Sequence, residues 1–147
     1  MEGKDEHLFY DGSVVDDESF LSFMTISGNF PALVLDDQGN PVLIAWLNGF
    51  SSGVAQCHFC AIGPFRRGAS KALLNYWMSL EADGKPLLHT IIGITPAPYE
   101  AAWKAAKCAG FKILGEIPGI CNMAYEHKRA PGVISYYARG GSDNGRR

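Results

Sequence analysis

Residues 54–80 read VAQCHFCAIGPFRRGASKALLNYWMSL. Val54 to Ile62 is apolar almost throughout, as a central strand buried on both faces requires. Gly63-Pro64 ends it, since proline cannot donate to a ladder. A short loop, Phe65-Arg66-Arg67-Gly68, follows. From Ala69 the periodicity becomes helical: Ala69, Ala72, Leu73, Tyr76, Trp77 and Leu80 recur at the spacing of one helix face. Such a unit carries chemistry at its loop. Amides at a helix N-terminus are unpaired and lie at the positive end of the helix dipole, which suits a pyrophosphate. Gly68, Ala69 and Ser70 are small enough to let a phosphate approach the backbone. Arg66 and Arg67 add charge with a geometry that matches phosphate.

Upstream, residues 32–35 and 41–46 are apolar runs separated by Asp36-Asp37-Gln38-Gly39-Asn40, a hairpin spacing in which Asp36 and Asp37 act as turn formers. Residues 13–26, with Phe20, Leu21, Phe23 and Met24, predict a short amphipathic helix with an acidic first turn. Residues 7–10, before Asp11-Gly12, predict an edge strand.

Downstream, Asp83-Gly84 stops the helix and residues 87–94 form a second apolar strand. Thr95-Pro96 is expected to cap a helix with Tyr99, Ala102, Trp103 and Ala106 on one face and a Glu100–Lys104 pair on its outer side. Gly110 stops that helix and residues 111–114 open another strand. Strands are expected around 123–126 and, after the breaker Ala130-Pro131-Gly132, at 133–137. Core packing accounts for Trp77 and Trp103. Residues 1–139 are expected to form one domain, with 140–147 a disordered Gly- and Arg-rich tail.

The chain has 147 residues, a length that suits one self-sufficient core. A net charge of −2 argues against a nucleic-acid partner, whose binding surface would be markedly basic. No apolar run approaches the roughly 18–20 residues that span a bilayer, so no membrane partner is expected. The acidic first residues lack the basic and apolar regions of a secretory signal, which predicts a cytoplasmic protein with free thiols at Cys57, Cys60, Cys108 and Cys121. Cys57 and Cys60 would point to opposite faces of a strand, and no second Cys/His pair stands at zinc spacing, so no metal site is expected.

Taken together, residues 54–80 resemble the central segment of the GNAT superfamily of acyl-CoA N-acyltransferases. The superfamily's loop signature is Gln/Arg-x-x-Gly-x-Gly/Ala, and the matching register here is Phe65-Arg66-Arg67-Gly68-Ala69-Ser70. Phe65 departs from it where Gln or Arg stands, and Ser70 where Gly or Ala stands. Residues 103–111, WKAAKCAGF, resemble the end of the family's next helix, which closes with Gly-Phe before a strand. The resemblance runs from about residue 32 to residue 126. It implies a mixed, mostly antiparallel central sheet flanked by helices, with acetyl-CoA as co-substrate. It also implies a pyrophosphate held by Arg66, Arg67, Gly68, Ala69 and Ser70, and a pantetheine arm along Cys60, Ala61 and Ile62.

Acyl transfer to an amine needs a base for the amine proton and an acid for the leaving thiolate. In the family a helix tyrosine four residues before the Gly-Phe glycine often supplies the acid, and here that position is Ala106. The base candidates are His58 and His89, because histidine titrates in the useful range. The acceptor would be a small amine or a protein amino group. The missing tyrosine and altered loop also resemble the GNAT-like head and virion proteins of short-tailed phages. That likeness implies a catalytically inactive structural or interaction protein, with phage particle proteins or a homo-oligomer as partners.

Overall fold

The computed structural model describes residues 8–140. Helix α1 (Asp17–Thr25) is followed by β1 (Phe30–Leu35), β2 (Pro41–Ser51) and β3 (Val54–Ala61). Helix α2 (Arg67–Ser79) leads through a two-stranded ribbon, β4 (Glu81–Ala82) and β5 (Lys85–Pro86), to β6 (Thr90–Pro96). Helix α3 (Glu100–Ala109), β7 (Lys112–Met123) and β8 (Lys128–Ala138) complete the order. Six strands form one sheet in the order β1-β2-β3-β6-β8-β7. Every neighbouring pair in it is antiparallel except β3–β6.

Strand β2 shows how the layers arise. Side chains alternate across a strand, so Leu43, Ala45 and Leu47 share one face and Trp46 takes the other. The first three join Leu73, Leu74 and Trp77 of α2 and Ala106 of α3 in one buried cluster. Trp46 turns instead to the N-terminal side, where the Phe9 ring stacks on it at 5.3 Å and Phe23 of α1 meets it edge-on at 5.8 Å. The sheet thus carries α2 and α3 on one face and α1 with the segment before it on the other. Helix α1 is held by its start: the Ser19 amide donates to Asp16 Oδ1 at 2.8 Å and the Asp16 amide to Ser19 Oγ at 3.1 Å, a capping box.

Several expectations hold with small shifts. The 36–40 turn is tied by Asp36, whose carboxylate accepts the amides of Gln38 and Asn40, both at 2.9 Å. Lys104 reaches Glu100 at 2.5 Å, and Gly110 closes α3 at φ 113°, a left-handed value that favours glycine. On α2 the buried stripe is Ser70, Leu73, Leu74 and Trp77, while Ala72 and Tyr76 face solvent. Ser70 can be buried because its hydroxyl donates to the Arg67 carbonyl at 3.0 Å.

Others are corrected. Residues 8–11 form a turn rather than an edge strand, and His7 lies outside the described residues. Thr95-Pro96 does not cap α3; it is the end of β6, paired with Val133 and Gly132, and Tyr99 stands at the N-cap. Residues 124–126 form a single 3-10 turn, not a strand. The stretch 130–132 runs inside β8 instead of breaking before it. Its proline is tolerated because it meets the end of β6: the Ala97 amide donates to the Pro131 carbonyl at 2.8 Å, and the Ala97 carbonyl, which an amide at 131 would have met, accepts from Trp103 Nε1 at 3.1 Å instead. Of the expected tail, all but Gly140 lies outside the described residues.

Candidate active site

Strands β3 and β6 pair over only three positions, Val54↔Thr90, Ala55↔Ile91 and Gln56↔Ile92. Beyond them β3 stays on β2 as far as Ala61 and β6 stays on β8 as far as Pro96, so the two part like the arms of a V. Phe111 bridges the arms, packing against Phe59 of β3 at 6.4 Å between centroids and over Gly93 of β6. The opening is a cavity of about 360 Å³. It passes between the two faces of the sheet. Phe59, Ala61, Ala102 and Ala106 line it on the α2/α3 side, and His58, Cys60, Leu8 and Tyr10 on the other.

The exposed edge of β3 has a definite polarity. The Ile62 amide donates to the Val42 carbonyl at 3.0 Å, which marks Ile62 and Val42 as a directly bonded pair. In an antiparallel ladder such pairs alternate, so the main-chain groups of Cys60 and His58 also point to β2. Those of Phe59 and Ala61 therefore point into the slot, where β6 offers no ladder, while Cys57 still borders the last β6 pairing, Gln56↔Ile92. Of the three residues expected to meet a pantetheine arm, Ala61 presents its backbone to the slot, Cys60 lines it with its side chain, and Ile62 is turned to β2.

The strand delivers the chain through Gly63 and Phe65, both on the cavity wall, to the start of α2. Arg66 is the N-cap residue and makes no side-chain cap; its carbonyl receives the amides of Ala69 and Ser70 at 3.1 and 3.3 Å. The earlier amides of Arg67 and Gly68 are the ones helix geometry leaves open. The Arg66 guanidinium reaches Asp36 of the β1–β2 turn at 3.8 Å, a long and exposed contact that holds it weakly. Arg67 and Gly68 are exposed.

His58 stands opposite Trp46 in the β2–β3 register, and its ring stacks on the Trp46 indole at 5.0 Å and 11°. Its Nε2 lies 3.3 Å from Asn48 Oδ1. Burial lowers its pKa below the ordinary histidine value, against a weaker opposing pull from the Asp11 carboxylate, so the ring is neutral at pH 7. His89 is elsewhere: it precedes β6 at the closed end, donates its amide to the Gly53 carbonyl at 2.7 Å and lays its ring over Gly53. The structure brings His58, Cys60 and Ala61 together in the slot and leaves His89 outside it.

The thiols nearby are poor nucleophiles. Burial pushes Cys57 up to about 12 and raises Cys60, so both are protonated at neutral pH. Among the described residues no group of three or more His, Cys, Asp or Glu side chains could hold a metal. Two tyrosines that the sequence did not place in the slot are on its wall. Tyr10 arrives on the N-terminal turn and Tyr99 from the start of α3, their rings edge to face at 6.1 Å. Burial, then a hydrogen bond with Cys121, raises the Tyr10 hydroxyl above the ordinary tyrosine value. Tyr99 could have been found from its place just before the helix; Tyr10 carries no local signal. Ala106, where the sequence resemblance would expect a tyrosine, is buried against the cavity and offers no proton there.

No protein-family model matches the sequence, and no curated protein matches it. Solved structures do resemble the fold. Spermidine N-acetyltransferase from Vibrio cholerae, in complex with CoA and spermine, superposes with a TM-score of 0.65 at 15% identity, over 84% of this chain and 73% of that one. A mutant of the same enzyme, SpeG, gives 0.64 at 16% identity over 82% and 72%. A chimera of SpeG and hSSAT gives 0.66 at 13% identity over 89% and 85%. The chain therefore has the GNAT fold, a mixed and mostly antiparallel sheet flanked by helices.

Proposed function

We propose that this chain is an acyl-CoA-dependent N-acyltransferase-like protein that binds its donor, acetyl-CoA, in the slot between β3 and β6. The observation that carries this reading is the parting of those strands after three paired positions, which leaves a row of β3 backbone groups facing a cavity open to both sides of the sheet. The pantetheine arm lies along Phe59 and Ala61, and the pyrophosphate sits on the Arg67 and Gly68 amides with Arg66 and Arg67 beside it. The amine enters from the His58 side. Its nitrogen attacks the thioester carbonyl, a C–N bond forms, the C–S bond breaks, and His58 takes the amine proton directly or through one water. Solvent protonates the leaving thiolate, since Ala106 cannot. A small amine fits the apolar walls contributed by Leu8, Tyr10 and Tyr99; the related fold of SpeG was solved with spermine.

Acetyl-CoA should raise the melting temperature of the chain, because a ligand that binds only the folded state stabilises it. Arg67→Glu should remove the shift, and His58→Gln should keep the shift while lowering thiol release with an amine panel by about 10²–10⁴-fold. No shift at millimolar acetyl-CoA would sink the reading. Ala106 also favours a second one, a GNAT-like domain without chemistry that serves as a structural or interaction component, such as a phage particle protein. It predicts no thiol release with any amine and co-purification with a larger assembly.

A further inference from the structure

Behind His58 runs a chain of side-chain amides whose direction is fixed at its far end. Asn29 Nδ2 donates to the Phe23 carbonyl of α1 at 2.7 Å. Asn48 Nδ2 donates to Asn29 Oδ1 at 3.3 Å, and Asn48 Oδ1 faces His58 Nε2 at 3.3 Å. A carboxamide looks nearly the same either way round, so each orientation must come from its partners. Here the partners leave no freedom. A main-chain carbonyl only accepts, so Asn29 must turn its NH₂ to Phe23 and its oxygen to Asn48. Asn48 must then turn its NH₂ to Asn29 and its oxygen to His58.

We infer that the Phe23–Asn29–Asn48 relay is a positioning device that keeps the proton on His58 Nε2 and the lone pair on Nδ1. This rests on the reading of His58 as the base. The other tautomer would set a ring lone pair against the Asn48 oxygen, whereas the imidazolium keeps Nε2–H in place. The ring can therefore take a proton at Nδ1 and give it up without any change in the relay. Stacking fixes what the hydrogen bonds do not. The ring lies nearly parallel to Trp46, which is itself stacked on Phe9 at 5.3 Å and 13°. Asn29 and Asn48 touch neither slot nor ligand. Both are half-buried at the junction of α1, β1 and β2, and act only through His58.

The test is the His58 ring itself, in the ¹⁵N-labelled chain above the histidine pKa. Wild type should show a single tautomer with a slowly exchanging Nε2–H. Asn29→Ala, which does not touch the ring, should release Asn48 to turn over, so the Nε2–H exchanges faster and a second tautomer appears. Asn48→Leu should do the same more completely. A wild-type ring protonated at Nδ1 would overturn the inference without any variant. So would a Nε2–H signal unchanged in both variants. The acyl-transfer reading fails separately: a chain that shows the locked tautomer but neither binds acetyl-CoA nor releases thiol loses that reading and keeps the relay.

Discussion

Strand β3 treats its two neighbours differently, and the difference organises the molecule. Against β2 it is paired from Val54 to Ala61, with one register shift next to Ala55. Against β6 it is paired for three residues and then free. The closed seam is built of side chains that fill space on both faces, Leu43, Ala45 and Leu47 below and Trp46 above. The open seam is lined by small or half-buried residues, Ala61, Gly93 and Ala106, which leave space unfilled. One edge of the same strand supplies stability and the other is available for a ligand.

Substitutions should separate the two seams. On the closed side, Trp46→Ala removes a side chain 2% exposed, and should cost about 3–5 kcal/mol in equilibrium denaturation. A loss well under that would show that the Phe9–Trp46–His58 stack carries little weight. Away from both seams, Gly132→Ala, where β8 meets β6 and β7, places a Cβ 2.4 Å from the Ile120 side chain and 3.1 Å from Cys121 Sγ. Overpacking of that kind should cost roughly 1–3 kcal/mol. On the open side the pattern reverses. Ala102 lines the slot but is exposed, so Ala102→Trp should change stability by no more than about 0.5 kcal/mol while removing the acetyl-CoA thermal shift. A variant that keeps the shift would mean the ligand lies elsewhere.

The smallest effect expected is a pH slope. Because burial lowers the His58 pKa, the unfolded chain binds the proton more readily than the folded one. The contribution is therefore fully present above the ordinary histidine value of 6.5 and is lost as pH falls below it toward the depressed folded value. Urea titrations on either side of pH 6.5 should show this loss in wild type and a flatter response in His58→Gln. An identical slope in both would assign it to other groups.

How much of this could be read from residues alone follows the same division. The closed seam was legible because its signals are local: apolar runs, the 36–40 spacer, and the helical stripe after Gly68. Among the misjudged strands, 130–132 of β8 has a local cause, for Pro131 reads as a breaker until its place beside the end of β6 is seen. The slot was half legible. The loop into α2 was legible as a helix start carrying two arginines and small residues. That β3 gives up β6 after Gln56 is a property of strands whose paired positions lie 36 residues apart in sequence, and no stretch of either records it. His58 and His89 look alike in sequence, each on an apolar run; only the fold puts one in the opening and the other at the closed end. Tyr10 was invisible for the same reason, since its segment reaches the slot through Phe9 stacking on Trp46.

The most direct measurement is an acetyl-CoA titration followed at backbone amides. The account predicts shifts concentrated at Phe59, Ala61, Arg67 and Gly68, with the β1–β2 ladder unmoved. Absence of any shift, or shifts gathered instead around Lys112 and Arg139 at the second surface pocket, would contradict it.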